Sequence, residues 1–117
     1  MNHEREHKVE LEIDYADALE YARTLVLQKY GTVRDFTRHE DFTQKCGFGD
    51  AEAHKVATYL SRPPEGEEKK VKSAPFLSKL LSALVGVELD SGREVVHKTL
   101  FWTSKPLPEL TQTAQSV

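Results

Sequence analysis

What this sequence lacks narrows the possibilities first. It holds a single cysteine, Cys46, so no internal disulfide can staple the fold, and a lone thiol suits a reducing compartment. It has no long apolar run, so no segment is expected to span a membrane. The opening Met1-Asn2-His3-Glu4-Arg5-Glu6-His7-Lys8 lacks the apolar core of a secretory signal. Basic excess is absent too: 16 Lys plus Arg stand against 19 Asp plus Glu, a formal charge of −3. That excludes a histone-like polybasic binder and leaves room only for a local basic face. No internal repeat or low-complexity tract is visible. The one glycine pair, Gly47-Phe48-Gly49, lacks the preceding strand and the following lysine or serine that a phosphate loop requires.

What remains is globular composition, 38% hydrophobic and 30% charged over 117 residues, which suits one domain, 1–117. The expectation is a small α+β protein, cytoplasmic or otherwise intracellular, with an ordered core over 9–102. The segment 63–72, rich in proline and charge, reads as a loop, and 103–117 as a flexible tail.

Val9, Leu11 and Ile13 alternate with Glu10 and Glu12, the period-two pattern of a half-buried strand. Asp14 sits where an N-cap belongs. Tyr15, Ala18, Leu19, Ala22, Leu25, Val26 and Tyr30 then recur at helical spacing until Gly31, predicting a helix over 15–30. Thr32 to Phe36 is short and tolerant of β structure. Thr37-Arg38-His39-Glu40 matches a capping box, which predicts a second helix from Arg38 to Cys46. Asp50 opens a third, with Ala53, Val56, Ala57 and Leu60 inward and the double proline at 63 and 64 as its stop. A fourth is signalled by Ser73 as cap, Pro75 in the first turn, and Phe76, Leu77, Leu80, Leu81 and Leu84 along one face. Val85, Val87 and Leu89 alternate as a strand, Asp90-Ser91-Gly92-Arg93 reads as a turn, and Glu94 to Trp102 as the return strand.

The run from Phe42 to Leu60 resembles a helix-turn-helix. Phe42 anchors the first helix, Gly47 permits the sharp turn, Phe48 plugs the corner, and Val56 and Leu60 bury the second helix. With a helix before it and a hairpin after it, the order is similar to a winged-helix domain. An extra helix and an added N-terminal strand fall outside that family's pattern. The resemblance implies that helix 50–62 is the recognition helix and that the Asp90–Arg93 turn is the tip of the wing. The plainer alternative is a generic small α+β domain.

That resemblance implies double-stranded DNA as partner and a DNA-binding regulatory function, without catalysis or cofactor. Ala51, Glu52, His54, Lys55, Thr58, Tyr59 and Arg62 would point outward, and of these His54, Lys55, Thr58 and Arg62 would contact the groove. Lys69, Lys70 and Lys72 would meet phosphates beside them, and Arg93 and Lys98 would do so from the hairpin; Lys79 belongs to the same basic cluster, and His97 to the same hairpin. Asp50 and Glu52 oppose this, since they place negative charge at the end of the helix that approaches the backbone. The alternative is a protein-protein interaction adaptor on the same scaffold, anchored by Tyr59, Phe101, Trp102, Leu107 and Leu110. A homodimer through helix 15–30 or the N-terminal strand suits either reading.

Enzyme and metal signals are weak. Cys46, with His39, His54, Glu40 and Asp41 near it in sequence, is the sole nucleophile candidate. It falls at a helix C-terminus, where the dipole raises a thiol pKa. His39, Cys46 and His54 have no finger-like spacing and lack a second cysteine, so no metal site is expected.

Overall fold

The computed structural model describes residues 11–62, 64–95, 98–103 and 105–110, with the backbone alone for 90–95. Strand β1 (Leu11–Asp14) runs straight into helix α1 (Tyr15–Tyr30). The junction is set by Asp14, whose carboxylate accepts the Ala16 N–H at 2.8 Å. Tyr15, Ala18, Leu19, Ala22, Leu25 and Val26 are buried along one stripe, and the helix stops at Gly31, whose φ is +93°. Every feature expected of this helix is present.

The next segment differs from expectation. Thr32 to Phe36 is not β-like: Thr32 accepts the Asp35 N–H at 2.9 Å and starts α2 (Val33–Arg38). Thr37 therefore lies inside a helix, where its hydroxyl donates to the Arg34 carbonyl, so the expected capping box does not form. His39 breaks the chain instead. Its Nδ1 accepts the Asp41 N–H at 3.0 Å and opens the five-residue α3 (Glu40–Gln44). After the turn at Gly47, a 3₁₀ turn over Asp50–Glu52 leads into α4 (Ala53–Ser61), which ends just before Arg62-Pro63.

Helix α5 (Glu67–Val85) is the longest element and begins six residues earlier than Ser73. Residues 67–72 of the expected 63–72 loop are helix, with Gly66 as N-cap and Glu67 and Glu68 complementing the positive end of the dipole. Pro75 lies within the helix, where its missing N–H cannot serve the Val71 carbonyl. Ser73 is not a cap but a buried interior residue. It donates to the Lys70 carbonyl and accepts from the Tyr15 hydroxyl, tying α5 to α1.

Val85 ends α5, so the second strand starts later than expected. β2 (Leu89–Val95) and β3 (Lys98–Thr103) form an antiparallel hairpin, and β1 pairs with the other edge of β3, giving the order β1-β3-β2. Asp90 to Arg93 is not the hairpin turn. Asp90 pairs with Trp102 and Arg93 with Leu100, so Ser91 and Gly92 stand against Phe101 alone as a bulge. The connection moves to 96–97, outside the described residues; His97 lies there too.

The core lies between α1, α5 and the sheet and continues beneath α2, α3 and α4. Thr103, expected as the start of a flexible tail, is a buried strand end. Beyond it Leu107 and Leu110 pack against the core, and the Tyr21 hydroxyl donates to the Pro108 carbonyl. Among the described residues no helix is long and apolar enough to cross a membrane.

Candidate nucleic-acid interface

Helix α4 is held in place by three contacts from outside itself. Gly47 adopts φ +77°, a left-handed conformation open to glycine, and turns the chain between α3 and α4. Lys79 of α5 donates to the Gly47 carbonyl at 3.0 Å and stands 4.9 Å from the Phe48 ring centroid, clamping the corner. At the far end Arg23 Nε of α1 donates to the Leu60 carbonyl at 2.6 Å, satisfying one of the orphan acceptors of the last turn. Lys79, which the sequence groups with the basic cluster of Lys69, Lys70 and Lys72, is therefore a structural clamp. No short motif announces that role, because the hydrogen-bond partner Gly47 lies 32 positions away.

Val56 and Leu60 anchor the inner side of α4 in the core, with Ala53 and Ala57 half-buried. His54, Lys55, Thr58 and Arg62 are all exposed, as the helical phasing predicts. His54, Thr58 and Arg62 follow each other at four-residue spacing and line a shallow groove with Ala57 and Ser61. At 1.5 Å per residue the nine residues of α4 span about 14 Å.

The acidic residues at the start of α4 are not equivalent. Glu52 Oε1 accepts the Gly49 N–H at 2.7 Å, so this carboxylate is turned back to cap the helix start. Asp50 is exposed. The basic residues of α5 also divide. Lys69 and Lys72 are exposed, whereas Lys70 is half-buried with its ammonium 3.5 Å from Glu67. Lys72 shares a cleft with Lys55 and Tyr59 of α4 and with Phe76 of α5. Arg93 and Lys98 belong to the hairpin, which packs principally on α5. Lys98 is exposed, and Arg93 occupies a strand position instead of a wing tip.

Glu67 joins the start of α5 to β3: its Oε1 accepts from the buried Thr99 hydroxyl at 2.7 Å. That hydrogen bond, with lesser help from Lys70, holds its carboxyl below the ordinary value of 4.5. A depressed carboxyl stabilises the fold above the ordinary range, and the contribution is lost as pH falls through the lowered value. Glu67→Gln is therefore expected to flatten the loss of stability below pH 4.5, as read by urea midpoints measured across that acid limb.

Cys46 is 3% exposed, and burial, reinforced by the Asp41 carboxylate, pushes its thiol up to about 11. This environment opposes a nucleophilic thiolate. Ellman's reagent at pH 8 is expected to leave the native thiol unreacted and to label it stoichiometrically in guanidinium; rapid labelling of the folded chain would contradict the burial. His3 and His7 lie outside the described residues. Among the described residues no three His, Cys, Asp or Glu side chains group as metal ligands.

The apolar residues proposed as interface anchors are largely occupied internally. Phe101 is fully buried, Leu107 and Leu110 pack on the core, and Tyr59 stacks on Phe76 at 4.7 Å. Trp102 and Leu100 are half-buried, and Leu27 is the exposed large hydrophobic residue among those described. No protein-family model, curated protein or solved structure matches the chain.

Proposed function

We propose that this chain is a DNA-binding regulatory protein of helix-turn-helix type, acting by binding without catalysis. The reading rests on one observation: His54, Lys55 and Thr58 on a short helix, and Arg62 at its C-cap, are exposed together, while the other side of that helix is locked into the core. In this account α4 enters the major groove. Thr58 and His54 meet base edges, Arg62 and Lys55 meet guanine or phosphate, and Lys69 and Lys72 extend the phosphate contacts. Lys98, exposed on the hairpin, adds a further phosphate contact. The internal use of Phe101, Leu107 and Leu110 favours this over an adaptor.

Neutralising about four phosphates gives a slope of roughly −3 to −4 in log affinity against log salt. Fluorescence anisotropy with a random-sequence duplex at low salt is expected to show that slope. Lys55→Glu with Arg62→Glu is expected to weaken binding more than tenfold and to reduce the slope by about two. Absent or salt-insensitive binding would remove the reading. The adaptor alternative rests on Leu100 and Trp102 of the sheet. It gains if Trp102→Ala, still folded by circular dichroism, loses a protein partner that the charge-reversed α4 variant retains.

A further inference from the structure

Where Tyr59 of α4 meets Phe76 of α5, the two helices leave a cleft of about 190 Å³. Lys55 from α4 and Lys72 from α5 both line it, although 17 positions separate them in sequence. The Tyr59 and Phe76 rings, 4.7 Å apart and inclined at 32°, form its apolar wall. Among the described residues neither ammonium is held in an ion pair. Glu52 also lines the cleft, and one of its oxygens is held by the Gly49 N–H. Two ammonium groups against one carboxylate leave the cleft positive.

An inorganic anion would use the lysines and leave the aromatic wall idle, whereas an uncharged aromatic ligand would do the reverse. A ligand carrying both a phosphate and a flat π-face uses both, by charge on one part and stacking on the other. The Glu52 carboxylate adds an acceptor suited to an exocyclic amino group, which adenine, cytosine and guanine carry and a phosphorylated phenyl ring lacks. We propose that the α4–α5 cleft binds a single nucleotide unit, its phosphate at Lys55 and Lys72 and its base on the Tyr59–Phe76 wall. The unit is either a free nucleotide or one residue of an unpaired strand. This site is separate from the His54, Thr58 and Arg62 groove and does not require duplex binding.

The test is an amide NMR titration of the full chain with AMP, adenosine, inorganic phosphate, phenyl phosphate and a single-stranded hexadeoxyadenylate. AMP is expected to give saturable shifts confined to α4 and the first half of α5, at least tenfold tighter than the other three small probes. Lys72→Glu, an exposed position, is expected to weaken AMP at least tenfold, and Tyr59→Leu to do the same while keeping the apolar volume. Arg62→Glu should leave AMP unchanged. Hexanucleotide binding tighter than AMP identifies a strand as the source, and weaker binding a free nucleotide. The proposal is overturned if AMP binds no better than adenosine, phosphate or phenyl phosphate, or if Lys72→Glu leaves it unaffected. Duplex binding without AMP binding would sink this site and keep the duplex reading; AMP binding without duplex binding would do the opposite.

Discussion

Phe42→Ala is expected to cost about 3–5 kcal/mol of folding stability, a large share of the 5–15 kcal/mol typical of a small domain. Phe42 is 1% exposed and stands in the middle of a continuous run of rings. Tyr30 meets Phe36 at 4.9 Å, Phe36 meets Phe42 at 5.4 Å edge-on, and Phe42 meets Phe48 at 5.1 Å. Phe48 then meets Phe76 at 6.0 Å, and Phe76 stacks on Tyr59. The run links α1, α2, α3, the turn, α5 and α4, the elements that display the proposed recognition face. Helix α3 has only five residues, too few to persist without tertiary packing, and Phe42 is its one buried side chain. Removing the ring leaves a void between Phe36 and Phe48, both nearly fully buried, so the site cannot relax toward solvent.

Guanidinium unfolding followed by circular dichroism measures this cost. Leu27→Ala, at an exposed position, is the control and is expected to change stability by less than about 0.5 kcal/mol. A double-mutant cycle with Phe48→Ala should show coupling of about 0.5–1.5 kcal/mol, because the two rings share one contact. A loss below about 1 kcal/mol with an unchanged denaturant slope would mean that the ring run does not hold the corner.

Where local chemistry and tertiary packing agree, the fold was legible in the sequence. Asp14, the helical stripe and Gly31 specify α1 without outside help, and the buried Val56 and Leu60 phase α4 correctly, which fixed the exposure of His54, Lys55, Thr58 and Arg62 in advance. The failures have specific causes. Thr37 and Glu40 satisfy a capping-box spacing, yet Thr32 and the His39 imidazole make the caps that form. The run Glu67-Glu68-Lys69-Lys70 looks like a solvated loop, yet it suits the first turns of a helix, with acids at the positive end and an i,i+3 ion pair. Pro75 reads as a first-turn residue because an interior proline is costly, and packing of Ala74, Leu77 and Leu81 overrides that cost. Asp90-Ser91-Gly92-Arg93 has turn composition, but pairing with β3 absorbs Ser91 and Gly92 as a bulge. The cleft joining Lys55 to Lys72 depends on two helices meeting, which no local pattern encodes.

Gly47→Val is the sharper test of the corner, because it changes the backbone while leaving every proposed contact residue in place. At φ +77° a β-branched residue is strained by about 1–3 kcal/mol. The space around Gly47 is not the obstacle. An added Cβ would meet Lys79 Cε at 3.4 Å and Nζ at 3.6 Å, ordinary contacts with the end of a flexible side chain. Backbone strain therefore predicts an order, with valine worse than alanine and alanine worse than asparagine, which tolerates this region best among residues with a side chain. Thermal midpoints are expected to follow that order, at about 4 °C or more per kcal/mol for a domain of this size. Duplex affinity should follow it too. Straining the turn disturbs the Lys79 clamp on the Gly47 carbonyl, and with it the angle at which α4 is held. If the three variants were equally stable, the turn would not demand a left-handed residue. If stability fell in the expected order while DNA affinity stayed constant, the orientation of α4 would have no bearing on binding, and Lys55 and Arg62 would be acting as diffuse charge.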